Sequence, residues 1–187
     1  MQRIYPLMML FVLLGLTACE SMAPKPKPLP EGVQLNAHYY TQVTMQYEKG
    51  KYRTSNYRKG TLLPVNTEVE LLGFTRKAIK IKLLKANQDL LIENVAKHTG
   101  ETPHQAFVKL FAKRPLDLRA FSKLERKKIK QGQVAKGMTK KAVLVAIGYP
   151  PITRTPTLEA NEWTYWRNRF RTFIVYFKNG KVSHIKT

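Results

Sequence analysis

Apolar and polar positions alternate with a period of two through much of residues 36–99. Ala78-Ile79-Lys80-Ile81-Lys82-Leu83 is the cleanest case, with Ile79, Ile81 and Leu83 on one face and lysines on the other. That is the pattern of a half-buried strand. In Thr67–Leu72, Val69 and Leu71 alternate with acids. Tyr39 to Tyr47 and Arg53 to Tyr57 mix aromatic with polar residues, and Thr61-Leu62-Leu63-Pro64-Val65 follows a Lys59-Gly60 turn. Leu90-Leu91-Ile92 closes the region. Short strands at this spacing predict a small barrel or sandwich.

The period then lengthens. Thr102-Pro103 predicts a helix start, with Phe107, Leu110 and Phe111 on one face and a stop at Pro115. Ser122-Lys123-Leu124-Glu125 is a capping box opening a basic helix to about Lys130. Thr139 caps a third helix carrying Val143, Ala146 and Ile147. Gly148 supplies a left-handed stop, and Pro150-Pro151 prevents continuation.

Period two returns in Glu162–Arg167, Thr172–Lys178 and Lys181–Lys186, the last two joined by the hairpin signal Asn179-Gly180. A two-residue turn sets Phe177 against Val182 and Val175 against His184. Phe173, Val175, Phe177 and Val182 then share one face, with Ile174, Tyr176 and Ile185 on the other. Trp163 and Tyr165 likewise oppose Trp166. A layered α+β unit needs one apolar face. The second face, Trp166, Ile174, Tyr176 and Ile185, is therefore a candidate docking surface for a partner. The alternative is internal packing against the N-terminal strands or the linking helix, and a longer turn would change the register.

Charge adds a second candidate surface. The chain holds 33 Lys+Arg against 12 Asp+Glu, a formal net charge of +21. Between Lys109 and Lys141, twelve basic residues face two acids, Asp117 and Glu125. Arg126, Lys127, Lys128, Lys130, Lys140 and Lys141 are the candidates for contact with an anionic surface. In a cytoplasmic protein this excess would point to nucleic acid.

The first residues point elsewhere. Arg3 precedes an uncharged run from Leu7 to Leu16, the layout of an export signal. The run is about half the ~20 residues a membrane span needs. It ends in Leu16-Thr17-Ala18-Cys19, which resembles a bacterial lipobox, and Cys19 is the only cysteine. The resemblance implies cleavage before Cys19 and lipid attachment to it; an uncleaved anchor or a plain signal peptide are the alternatives. Glu20, not aspartate, follows. This favours the outer membrane, with the protein facing the periplasm. Pro24, Pro26, Pro28 and Pro30, with Lys25 and Lys27 between, favour an extended polyproline II spacer. Export leaves lipid headgroups, lipopolysaccharide, acidic proteins and cell-wall carboxylates as the available anions. Each basic group near an anionic surface contributes about 1 kcal/mol. A solvated basic surface without a specific partner is the alternative.

Chemistry is sparse. His38, His98, His104 and His184 lack metal-ligand spacing, the acids are unpaired, and Ser55, Ser122 and Ser183 lack a nucleophile-elbow context. No glycine loop is built to cradle phosphate. The expectation is a non-enzyme with no cofactor, no metal and no nucleic-acid partner.

Gly137-Met138-Thr139 leading to Ile147-Gly148-Tyr149-Pro150, then Trp163-Thr164-Tyr165, Val175-Tyr176-Phe177, Gly180 and Val182, resembles the SmpA/OmlA family of BamE-like lipoproteins. The segment from Tyr57 through Gly60 and Pro64-Val65-Asn66-Thr67 to Leu71 resembles bacterial SH3-like domains, with Asn66 where glycine is usual. These resemblances imply an α+β chain: an SH3-like β-barrel, a helical connector, and a BamE-like module of two helices on a three-stranded antiparallel sheet. The corresponding divisions are a signal peptide (1–18), a lipidated Cys and Pro/Lys tether (19–34), an SH3-like domain (35–100), a connector (101–120) and the BamE-like domain (121–187). They imply a structural adaptor in an outer-membrane or envelope assembly, touching partner proteins and anionic phospholipid or lipopolysaccharide. The rival reading is a peptidoglycan or peptide binder whose groove is lined by Tyr39, Tyr40, Tyr47 and Tyr57. A weaker one is an enzyme-inhibitor lipoprotein.

Overall fold

The computed structural model describes residues 28–187. The signal, Cys19 and most of the Pro/Lys spacer lie outside them. The described chain is mixed α+β. Its strands are β1 (His38–Thr41), β2 (Met45–Tyr47), β3 (Lys51–Arg53), β4 (Thr61–Leu63), β5 (Glu68–Phe74), β6 (Ala78–Leu83) and β7 (Gln88–Glu93). Helices α1 (Ala96–Thr99) and α2 (Pro103–Leu110) and the two-residue β8 (Phe111–Ala112) follow. After a 3-10 turn at Leu118–Ala120 come α3 (Lys123–Gln131), α4 (Lys140–Ile147), β9 (Glu162–Trp166), β10 (Thr172–Lys178) and β11 (Lys181–Lys186).

A curled six-stranded sheet in the order β3-β7-β6-β5-β1-β8 carries the first core, and β2 and β4 form a separate ribbon. The alternation in β6 does what it predicts: Ile79, Ile81 and Leu83 are buried with Val69, Leu71, Leu90 and Ile92. Helix α2 closes this core with Phe107 and Leu110. Its Thr102–Gln105 capping box satisfies the first turn. Phe111 departs from the expected helix. It leaves at the C-cap and pairs as β8 with Thr41 of β1, reaching the same core by a strand. Two strand expectations also shorten. Tyr39–Tyr47 breaks into β1 and β2, and Arg53–Tyr57 turns at Asn56, which adopts φ +59°. Asn66, which stands where glycine is usual in the resembling domains, adopts the left-handed φ of +63°. Its amide both accepts from Leu116 N (2.7 Å) and donates to Leu116 O (2.9 Å), a bridge glycine lacks.

The second core is built from α3, α4 and the sheet β11-β10-β9. Trp163, Tyr165, Val175, Phe177 and Val182 meet Ile129, Met138, Val143 and Ile147 there, and Val65 joins them from the N-terminal half. Gly137 has the positive φ its position demands (+89°). Gly148 also has positive φ (+75°), but its ψ of −169° is extended, so it ends α4 without the left-handed cap that was expected.

Glu125 ties the two helices together. Its carboxylate accepts from Ser122 N (2.8 Å) in its own capping box, and from Thr139 N (2.9 Å) and Thr139 Oγ1 (2.7 Å) at the start of α4. Burial pushes its pKa up, but these bonds from Thr139 and Ser122 outweigh it and hold the group at about 2.

Candidate functional site

The two cores meet along a seam of buried polar bonds. Thr44 N donates to Val145 O (2.9 Å), and Asn56 Nδ2 donates to Ile147 O (2.6 Å) and Tyr149 O (3.0 Å). Arg58 sits at its centre. Its Nη1 donates to Ile147 O (3.2 Å) and Asn56 Oδ1 (3.3 Å), and Nη2 to Gly132 O (3.2 Å). Ile147 ends α4 and Gly132 caps α3, so one guanidinium lies at two helix C-termini, where unpaired carbonyls and the helix dipole favour a cation. No carboxylate of a described residue pairs with it. Burial lowers its pKa from the usual arginine range, while the Tyr52 and Tyr165 hydroxyls act in the opposite sense.

Beside Arg58 opens a groove of about 390 Å³ between the β2–β4 ribbon and the second sheet. Gln46, Arg167, Val134, Phe173 and Ile185 line it with Arg58, and no acidic side chain does. Gln46 Oε1 is buried without a hydrogen-bond partner.

Ile185 belongs to this groove and not to the outer sheet face where it was expected. The register runs Lys178↔Lys181 and Phe177↔Val182, as a two-residue turn requires, and then slips at a β-bulge. Beyond it Tyr176 faces His184 and Val175 faces Ile185. One extra residue reverses the sides of everything after it. Ile185 therefore packs toward the second core, and His184 stacks on Tyr176 at 4.2 Å between ring centroids.

The remaining predicted docking residues, Trp166, Ile174 and Tyr176, are half-buried on strands β9 and β10. Trp166 is partly covered: the Arg154 guanidinium lies 5.4 Å from its ring and His98 of α1 6.3 Å.

The six basic candidates do not act alike. Lys127 and Lys130 of α3 and Lys141 of α4 are exposed. Arg126 is engaged with Phe121 O, and Lys128 with Gln133 Oε1 (3.0 Å). Lys140 is committed to structure, its ammonium donating to Leu158 O (3.1 Å) and Glu159 O (2.7 Å). Of the tyrosines assigned to a cell-wall groove, Tyr39 is buried in the first core at 2% exposure, its hydroxyl donating to Gln34 O. It cannot line an open groove.

The loop joining β9 to β10 holds what the sequence reading passed over. Arg167-Asn168-Arg169-Phe170-Arg171 projects from the sheet end, and Phe170 is 80% exposed. Asn168 Oδ1 accepts from Phe170 N (2.9 Å) and Arg171 N (3.0 Å), which fixes the tip, and Arg169 lies 4.7 Å from the Phe170 ring. An aromatic ring set among arginines suits an anionic lipid interface, where the ring enters the apolar boundary and the cations stay at the headgroups. Replacing Phe170 by Ser and Arg169 by Glu together should weaken binding to phosphatidylglycerol vesicles at least tenfold, since each arginine near such a surface contributes about 1 kcal/mol. Vesicle co-sedimentation reads this. Unchanged binding would move the contact to Lys127, Lys130 and Lys141.

Among the described residues no cluster of His, Cys, Asp and Glu is placed to hold a metal ion, and no helix is long and apolar enough to cross a membrane. No protein-family model, no curated protein and no solved structure matches this chain.

Proposed function

We propose that this protein is a lipid-anchored adaptor of the bacterial outer membrane, of the BamE-like kind, with a small SH3-like barrel ahead of its two-helix, three-stranded module. It binds rather than catalyses. Cys19 carries the lipid, the Lys-Pro spacer holds the body off the bilayer, and the module contacts envelope proteins and anionic headgroups. The observation that carries this reading is the arginine-framed Phe170 tip at one end of a sheet whose outer face bears Trp166, Ile174 and Tyr176. It gives the excess of 33 basic over 12 acidic residues a structured point of contact. The lipobox-like Leu16-Thr17-Ala18-Cys19 supplies the tether.

Cys19→Ala tests the tether, and crosslinking from Tyr176 tests the docking face. The variant is expected to fold with an unchanged melting temperature, to leave the membrane fraction, and to lose function in its own cell. Crosslinks from Tyr176 are expected to recover an envelope protein. Full complementation by the untethered chain would remove the membrane from the account. Absence of any crosslinked envelope protein would remove the adaptor role.

A further inference from the structure

The groove at the seam offers more than positive charge. Arg58 uses three guanidinium hydrogens on Ile147 O, Asn56 Oδ1 and Gly132 O, which leaves Nε–H and one Nη2–H unused. Arg167 is exposed on the rim. Gln46 lines the same groove, and its buried Oε1 has no hydrogen-bond partner. The third contribution is main chain. β11 is an edge strand of its sheet. Its first half is covered, because Gly137 N donates to Val182 O (2.8 Å) and Val182 N to Met138 O (2.8 Å). Past the bulge the cover ends. Among the described residues, positions 184–187 make no backbone bond except those of the ladder to β10. By alternation from the outward-facing Val182 across the bulge, the N–H and C=O of Ile185 point away from β10, on the side that lines the groove.

An unpaired stretch of strand edge is a template for another strand. This one is short, and it lies where the wall supplies arginines for acidic side chains and Phe173 and Val134 for apolar ones. A lipid headgroup would meet the arginines without matching the strand edge. Its hydroxyl and phosphate oxygens can bond singly to main chain, but they lack the alternating donors and acceptors, at strand spacing, that a strand edge matches. An extended peptide supplies both, and its alternate side chains reach opposite walls. We infer that the groove beside Arg58 is a strand-addition site for an extended, acidic segment of a partner protein, which pairs with the free half of β11 at Ile185 and sets a carboxylate on Arg58 and Arg167.

This deepens the adaptor reading, on which it rests, by naming the chemistry of the partner. The two fail separately, because tether loss is scored in cells and the groove with purified protein. The probe is a capped, fluorescent hexapeptide alternating Glu and Val, titrated by anisotropy. Saturable binding is expected. Arg167→Glu, at an exposed position, should weaken it at least tenfold while leaving the melting temperature unchanged. The same peptide with alternate amides N-methylated should not bind, because it keeps its charge and loses its strand edge. Equal binding of the methylated peptide would reduce the site to charge attraction and overturn the inference. So would failure of the hexapeptide to bind; shielding of Arg167 from chemical modification by phosphatidylglycerol vesicles would then make the groove a headgroup site.

Discussion

Arg58→Ala is expected to lower the stability of the folded chain by about 4 kcal/mol, the cost of losing charge-assisted bonds and stranding buried carbonyls at two helix ends. For a chain of this size that is a fall in melting temperature of about 10 °C. The carbonyls left behind are Ile147 O, still served by Asn56, and Gly132 O, whose side-chain donor is gone. Arg58→Lys should rescue little. One ammonium on a flexible stem does not reproduce a planar fork that spans the ends of α3 and α4. Thermal unfolding by circular dichroism separates the outcomes: a shift of a degree or two for either variant would mean that the seam is held by Asn56 and Thr44 without the charge. Because the guanidinium joins two cores, loss of it should also split a single transition into two.

Glu125 gives the second large effect, and it depends on pH. Its folded-state pKa of about 2 lies below the ordinary glutamate value of 4.5, so its contribution is fully present above pH 4.5. That contribution is lost as pH falls from 4.5 toward 2. Linkage sets it on the order of 3 kcal/mol. Glu125→Gln should remove most of this at neutral pH, since one amide oxygen replaces two charged acceptors serving Ser122 and Thr139. It should also flatten the stability curve between pH 5 and pH 2.5. Denaturant titrations of both proteins across that range provide the check. Parallel curves would show that another carboxylate carries the acid sensitivity.

Regular alternation was legible in the sequence wherever one face is buried: Ala78–Leu83 and Thr172–Lys178 match strands residue for residue. Caps were legible too, because Ser122 with Glu125 and Thr139 act through neighbours a few positions away. The candidate sites read less well. The β-bulge at Ser183, opposite Tyr176 and Phe177, has no local residue code, and it moved Ile185 from the expected docking face into the groove. Arg58 stands between Tyr57 and Lys59 and resembles any solvated cation. Two of its three partners are backbone carbonyls more than seventy residues away, which no side-chain pattern announces. Phe170 could have been noticed, since an aromatic residue between arginines has no place in a strand core.

The seam also bears on the order in which the chain acquires its shape. Asn56, Arg58 and Val65 belong to the first half of the chain, yet they are completed by residues from Ile129 onward. A polypeptide delivered N-terminus first would form the curled sheet and then wait. Through that interval it would carry an unmatched guanidinium and a bare apolar patch. The residues from Ile129 onward thus close a body that the earlier part of the chain leaves open at its seam.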